Sequence, residues 1–209
     1  MPGIGSGHQP SLVAYADSLQ QKIAALDNMH IKGWILDLRY NTGGNCWPMM
    51  AGIGPLLGEG ICGSFVTADS SKHHWFYSKG TAGIDTVNIV RVSDQPYFLK
   101  RPECPIAVLT SDNTMSSGEV ITIAFRGKEN TRSFGQSTRG LSTGNSGFML
   151  SDSAKISLTT SIFADRNGHL YGDKVVPDEV IKVSYPEHDL KRDEVVLAAI
   201  DWIKAHSKR

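Results

Sequence analysis

The stretch "VLTSDNTMSSGEVITIAF", residues 108–125, decides how this chain folds. Its first residues complete "PIAVLTS" (105–111), an apolar, β-branched run short enough to be a buried strand. From Glu119 onward the apolar residues fall at helical spacing. Between the two runs lies a knot of small hydroxyl residues that includes two adjacent serines, Ser116 and Ser117. The same unit occurs upstream. "GWILDLRY" (33–40) reads as a buried strand, "NTGGN" (41–45) breaks it, and 46–57 resumes as a helix weakened by Gly and Pro. Buried strands alternating with helices define an α/β layering. Ligands of such folds gather at the carboxyl ends of the parallel strands, and both turns lie there.

The remaining elements are read outward from these two units. Residues 10–27 carry Leu12, Tyr15, Leu19, Ile23 and Leu26 at helical spacing. Residues 63–100 change to short alternating segments, a β-rich antiparallel insertion between the two core units. "TRSFG" (131–135) reads as a short strand and "STRGLSTGNSG" (137–147) as a loop. Residues 153–165 and "HLYG" (169–172) read as a hairpin turning on "RNG". Residues 192–206 form a closing amphipathic helix. The whole, 1–209, is expected to be one domain. Only "MPGIGSG" precedes the first helix, where a core strand is expected. That strand is expected from an upstream segment, a further domain or a partner subunit.

Composition excludes several functions. Lys+Arg and Asp+Glu both number 21, so bulk charge gives no hold on nucleic acid or an anionic membrane. No run of about 18 apolar residues exists to span a bilayer. The three cysteines, Cys46, Cys62 and Cys104, have no CxxC spacing and read as buried free thiols; neither a metal nor a cofactor is expected.

The two turns carry the chemistry. Gly43 and Gly44 reach backbone angles other residues avoid and leave N–H groups facing open space. A serine at a helix N-terminus sits beside further unpaired N–H groups. A hydroxyl next to such amides meets the needs of acyl transfer through a tetrahedral intermediate. The same patterns also serve as an ordinary cap and an ordinary turn, and pattern alone leaves both readings open. Asp37 and Arg39, charged residues in an apolar run, read as a buried pair bracing the strand. Trp34, Trp47 and Trp202 read as core.

"GWILDLRYNTGGN" and "VLTSDNTMSSGEVITIAFRG" resemble the strand–turn and nucleophile segments of the tail-specific, or C-terminal-processing, serine proteases. "RSFGQSTRG" and "GDKVVPDEVI" match two further blocks in the expected order. The resemblance implies a ClpP/crotonase-like α/β core and peptide-bond hydrolysis. It implies Ser116 as the nucleophile, three residues before Glu119, with Ser117 as the rival hydroxyl. Many members pair the serine with a lysine, but Leu141 holds that position here. Arg139 is near, yet a guanidinium keeps its proton and makes a poor base. The tricorn-like branch uses an early histidine and a late carboxylate instead, which fall on His8 and Asp173. His169 is the reserve base. His73 and His74, beside Trp75, face either substrate or solvent; His30, His188 and His206 sit in connecting or terminal segments.

The resemblance therefore implies an acyl-enzyme on Ser116, with His8 as base, Asp173 supporting it, and an oxyanion hole from Gly43, Gly44 and Ser117. It implies a peptide or unfolded-protein substrate, an envelope, periplasmic or secreted location, and a homo-oligomer or upstream domain completing the sheet. Two alternatives stay open: a catalytically inactive module binding apolar ligands or peptides, and an acyl-handling enzyme of the wider crotonase-like fold.

Overall fold

A computed structural model describes residues 1–5, 7–183 and 191–207. His188 lies outside them. The core is a parallel four-stranded sheet in the order β1 (Trp34–Asp37), β6 (Ile106–Thr110), β7 (Thr131–Gly135), β10 (Glu179–Val180). Central β6 is buried at every residue, because both of its faces are covered. Ile106 and Val108 turn to the main core, and Ala107 and Leu109 to the opposite face. That opposite face is closed by α4 (Glu194–His206) through Val195, Val196, Ala199 and Ile203.

On the main side stand α1 (Gln9–Leu26), α2 (Cys46–Leu57) and α3 (Ser117–Ala124). Helix α2 is buried around nearly its whole circumference, and this burial carries it through its two glycines and Pro55. A second, antiparallel sheet packs beyond, in the order β5-β4-β3-β2-β9-β8. It comprises β2 (Gly60–Thr67), β3 (Lys72–Ser78), β4 (Thr81–Ile84), β5 (Val87–Arg91), β8 (Thr143–Met149) and β9 (Lys155–Asp165). The expected β-rich insertion is thus four strands of a six-stranded sheet.

Two readings change. Residues 143–149, expected within or just after a loop, form edge strand β8 on β9. "HLYG" is no strand partner beyond one bridge, Leu170 to Ala164. Strand β8 is poor in β-formers, and its pairing with Thr- and Ile-rich β9 supplies the order instead. The chain start is the other finding. The Met1 ammonium donates to Asp37 O, the hydroxyl of Tyr15 donates to Pro2 O at 2.6 Å, and Ile4 pairs in parallel with Gly44. The first five residues therefore run from the end of β1 onto the Gly43–Gly44 turn.

The charged pair is real and larger than expected. Arg39 grips Asp37 with Nε and Nη2 (2.7–3.1 Å) and reaches Asp193 with Nη1 at 2.6 Å. Arg39 is 2% exposed. The three cysteines are free and buried, and burial pushes Cys46 up to about 12 and Cys62 to about 11.

Candidate active site

The two core turns are laced together. Ser111 Oγ donates to Arg39 O (2.6 Å), Thr114 Oγ1 to Leu38 O (2.9 Å) and Met115 N to Asn41 O (3.0 Å). Ser117 Oγ completes the seam on Gly44 O at 2.6 Å. The rival hydroxyl is therefore a buried brace between the turns. Asn41, fully buried, folds its own turn: Oδ1 accepts the Gly43 N–H at 3.0 Å. An Asn two residues before such an amide is the signature of an Asx-turn, legible in "NTGG" but not singled out there.

Ser116 sits at the N-cap of α3 with φ +52° and ψ −119°. A non-glycine residue in that region costs about 1–3 kcal/mol and persists only where its surroundings over-determine it. Here they do. The Ser116 N–H donates to Glu119 Oε2 at 2.8 Å, and Ser116 O accepts from Glu119 N (2.8 Å) and Val120 N (3.1 Å). The result is a sharp strand-to-helix bend with a half-buried serine at its apex, in the manner of a nucleophile elbow.

Gly43 lies against that apex. A Cβ there would come within 2.9 Å of Ser116 Cβ and Met115 O, and its φ is +93°. Glycine is required on both counts. Its N–H, one of the expected oxyanion donors, is engaged by Asn41. Among the described residues, no partner is found for the amides of Gly44 and Ser117, which belong to the two turns that meet at Gly43 and Ser116.

Glu119 is fully buried and joins the elbow to the loop before β8. Its carboxylate accepts from Thr138 Oγ1 (2.6 Å), Gly140 N (3.0 Å), Leu141 N (2.9 Å) and Ser116 N (2.8 Å). Burial pushes its pKa up, outweighing these four donors. Leu141, at the position of the family lysine, offers an aliphatic side chain that is 48% exposed.

The other expected residues are less tightly gathered. His8 is exposed and precedes α1 as its N-cap; its carbonyl accepts from Ser11 and Leu12. It stands four residues beyond Ile4, which rests on Gly44, so at most about 14 Å of chain separates them. Asp173 lies against Gly140: a Cβ there would come 2.7 Å from its Oδ1. Among the described residues no hydrogen bond joins His8, Ser116 and Asp173. Asp173 and His169 line one surface cavity of about 360 Å3. His169 packs edge-on against Tyr171 at 4.9 Å. Among the described residues no cluster of His, Cys, Asp and Glu could hold a metal, and no helix is long and apolar enough to cross a membrane.

A parallel α/β sheet with a serine elbow facing a diglycine turn defines a serine-peptidase class, and the family profile agrees: peptidase family S41 matches residues 5–181. The chain belongs to that family, the tail-specific or C-terminal-processing serine proteases. It is 28% identical over 204 residues to the nisin-resistance protein of Lactococcus lactis subsp. lactis, covering 97% of this chain and 58% of that protein. It is 27% identical over 183 residues to a carboxyl-terminal-processing protease of Synechocystis sp., covering 85% of this chain and 38% of that one. Among solved structures, a lipoprotein from Streptococcus agalactiae superposes with a TM-score of 0.73 at 29% identity, over 98% of this chain and 64% of that one. The photosystem II D1 C-terminal processing protease superposes at 0.62 and 20% identity, over 86% and 42%, and shares the fold. The chain thus spans under two thirds of these relatives.

Proposed function

We propose that this chain is a serine-type peptidase that cleaves peptide bonds near polypeptide C-termini through an acyl-enzyme on Ser116. The observation that carries the reading is the strained Ser116 apex packed against Gly43; the amides of Gly44 and Ser117 are taken as the two oxyanion donors. His8 takes the hydroxyl proton as Oγ attacks the scissile carbonyl, and Asp173 supports the imidazole. The carbonyl oxygen, now negative, rests on the two amides. Collapse expels the amine, which receives the proton from the imidazolium, and water then hydrolyses the ester by the same route in reverse. Gly43 supplies clearance for Ser116 rather than a donor. Relatives named for C-terminal processing, nisin resistance and a lipoprotein favour a peptide substrate met at the cell envelope.

Labelling with a fluorophosphonate tests the reading. The intact chain should be modified at Ser116, and Ser116→Ala should lose both labelling and peptide cleavage. His8→Ala should lower cleavage about 100-fold or more, the usual contribution of a general base. Cleavage by Ser116→Ala at the parent rate would dismiss the nucleophile. An intact chain that binds peptide without labelling would be an inert binding module.

A further inference from the structure

One face of the six-stranded sheet holds a cavity of about 320 Å3 that the elbow itself does not use. Phe65, His73, Ile84, Gly144, Thr160 and Ser161 are among its lining residues. Strand register explains the grouping. Phe65 lies opposite both His73 and Phe163, Gly144 opposite Ser161, and Ile84 opposite Trp75. Directly opposed residues share a face.

Three features show a site rather than a gap. Phe65 forms an aromatic floor, met edge-on by Trp75 at 5.0 Å and by the tilted ring of Phe163 at 5.5 Å. Gly144 borders that floor. A Cβ there would collide with Ser161 Oγ and stand 3.3 Å from Phe65 Cδ1, and its φ is outside the left-handed region. Glycine at this position makes room for the Ser161 hydroxyl beside the Phe65 ring, where the β8–β9 register shifts. The third feature is His73, whose Nδ1 meets Asp85 Oδ2 at 2.9 Å. Asp85 is fixed in turn by the His74 N–H on Oδ1 at 2.7 Å. A carboxylate only accepts, so Nδ1 carries the hydrogen and, in the neutral ring, Nε2 is left as an acceptor.

The cavity is also placed to serve the elbow. Gly144 follows Leu141, whose amide sits on Glu119, by three residues, a span of at most about 10 Å. On the other side Phe65 touches Trp47 at 6.4 Å, and the Trp47 N–H caps on Asn45, the residue after Gly44.

We infer that this cavity is a substrate subsite that selects tyrosine, an aromatic ring carrying an O–H donor, on an extended peptide. The ring packs on Phe65 in the cavity bordered by Gly144, and the phenol donates to His73 Nε2. The inference rests on the peptidase reading above, and its test is independent of turnover.

Measure binding of fluorescent peptides to the Ser116→Ala chain by anisotropy, with one position scanned through Tyr, Phe and Ala. Tyr should bind most tightly, about tenfold over Phe for one added hydrogen bond, with Ala weakest. Adding His73→Ala should abolish the Tyr-over-Phe preference and leave Phe affinity as it was. The imidazole is 48% exposed, so its loss should not unfold the sheet. Adding Gly144→Leu should weaken Tyr and Phe peptides alike by tenfold or more, with folding checked by circular dichroism. A Tyr-over-Phe ratio that survives His73→Ala, or no scanned position that prefers Tyr, would overturn the inference. A preference present in binding with no cleavage by the intact chain would uphold the subsite and refute the peptidase reading.

Discussion

At the scale of single residues, Glu119 governs the elbow. All four of its hydrogen-bond donors are neutral, and two of them, the amides of Ser116 and Leu141, lie on different segments. Glu119→Gln keeps one acceptor oxygen and replaces the other with an NH2 that faces N–H groups. Leaving buried donors unpaired should cost about 2–4 kcal/mol and release the strained apex, lowering turnover tenfold or more. The pH dependence has a defined sign. The folded pKa lies above the ordinary glutamate value near 4.5, so the folded chain holds this proton more tightly than the unfolded one. The associated stability is complete below the ordinary value and is lost as pH rises through the raised one. Paired chemical denaturation of the parent and Glu119→Gln from pH 4 to pH 8 should show the gap narrowing with pH. A gap that widens would mean that the four donors outweigh burial.

At the scale of elements, the parallel sheet and α4 are joined by one arginine. Asp193 accepts the Val195 and Val196 N–H groups at 3.1 Å as the helix cap and also holds Arg39. Arg39→Met would strand a carboxylate that is 4% exposed, and breaking one partner of such a pair costs about 3–5 kcal/mol. Urea denaturation should show that loss, and Asp193→Asn, which retains a capping oxygen, should lose less. The sequence made Asp37 and Arg39 visible as a pair because they lie two residues apart, at the end of β1 and in the turn that follows. Asp193, 154 positions away, was invisible to local pattern. The same divide runs through the fold. Helices α1, α2 and α4 and strand β6 were legible within a residue or two, since burial imprints a period on sequence. Strand β8 was not, because "TGNSGFM" owes its order to β9. The site shows it again. Ser116 could be read from its spacing to Glu119. That Gly43 spends its amide on Asn41 depends on side-chain geometry.

At the scale of the whole molecule, the chain start is part of the site's support. Ile4 O accepts the Asn45 N–H at 2.6 Å, just after Gly44, while Pro2 and Met1 anchor to Tyr15 and Asp37. Gly44 is the only residue type this contact tolerates, for a Cβ there would run into Ile4 O. The first five residues thus press on the turn that carries the proposed Gly44 donor. Deleting residues 1–5 removes about three hydrogen bonds at roughly 1 kcal/mol each, a fall in Tm of about 6–12 °C for a chain of this size. The effect on catalysis should be larger than the stability loss implies, because the Gly43–Gly44 turn that packs on Ser116 loses its contact with Ile4 and His8 loses its tether. Peptide cleavage measured well below the lowered Tm should therefore fall 100-fold or more, the scale of losing one oxyanion donor. The KM should move little, since the proposed side-chain subsite lies on the antiparallel sheet. Restoring the Tm with a stabilising substitution elsewhere should leave cleavage low. Recovery of full turnover together with the Tm would show that the segment acts only as a structural strap.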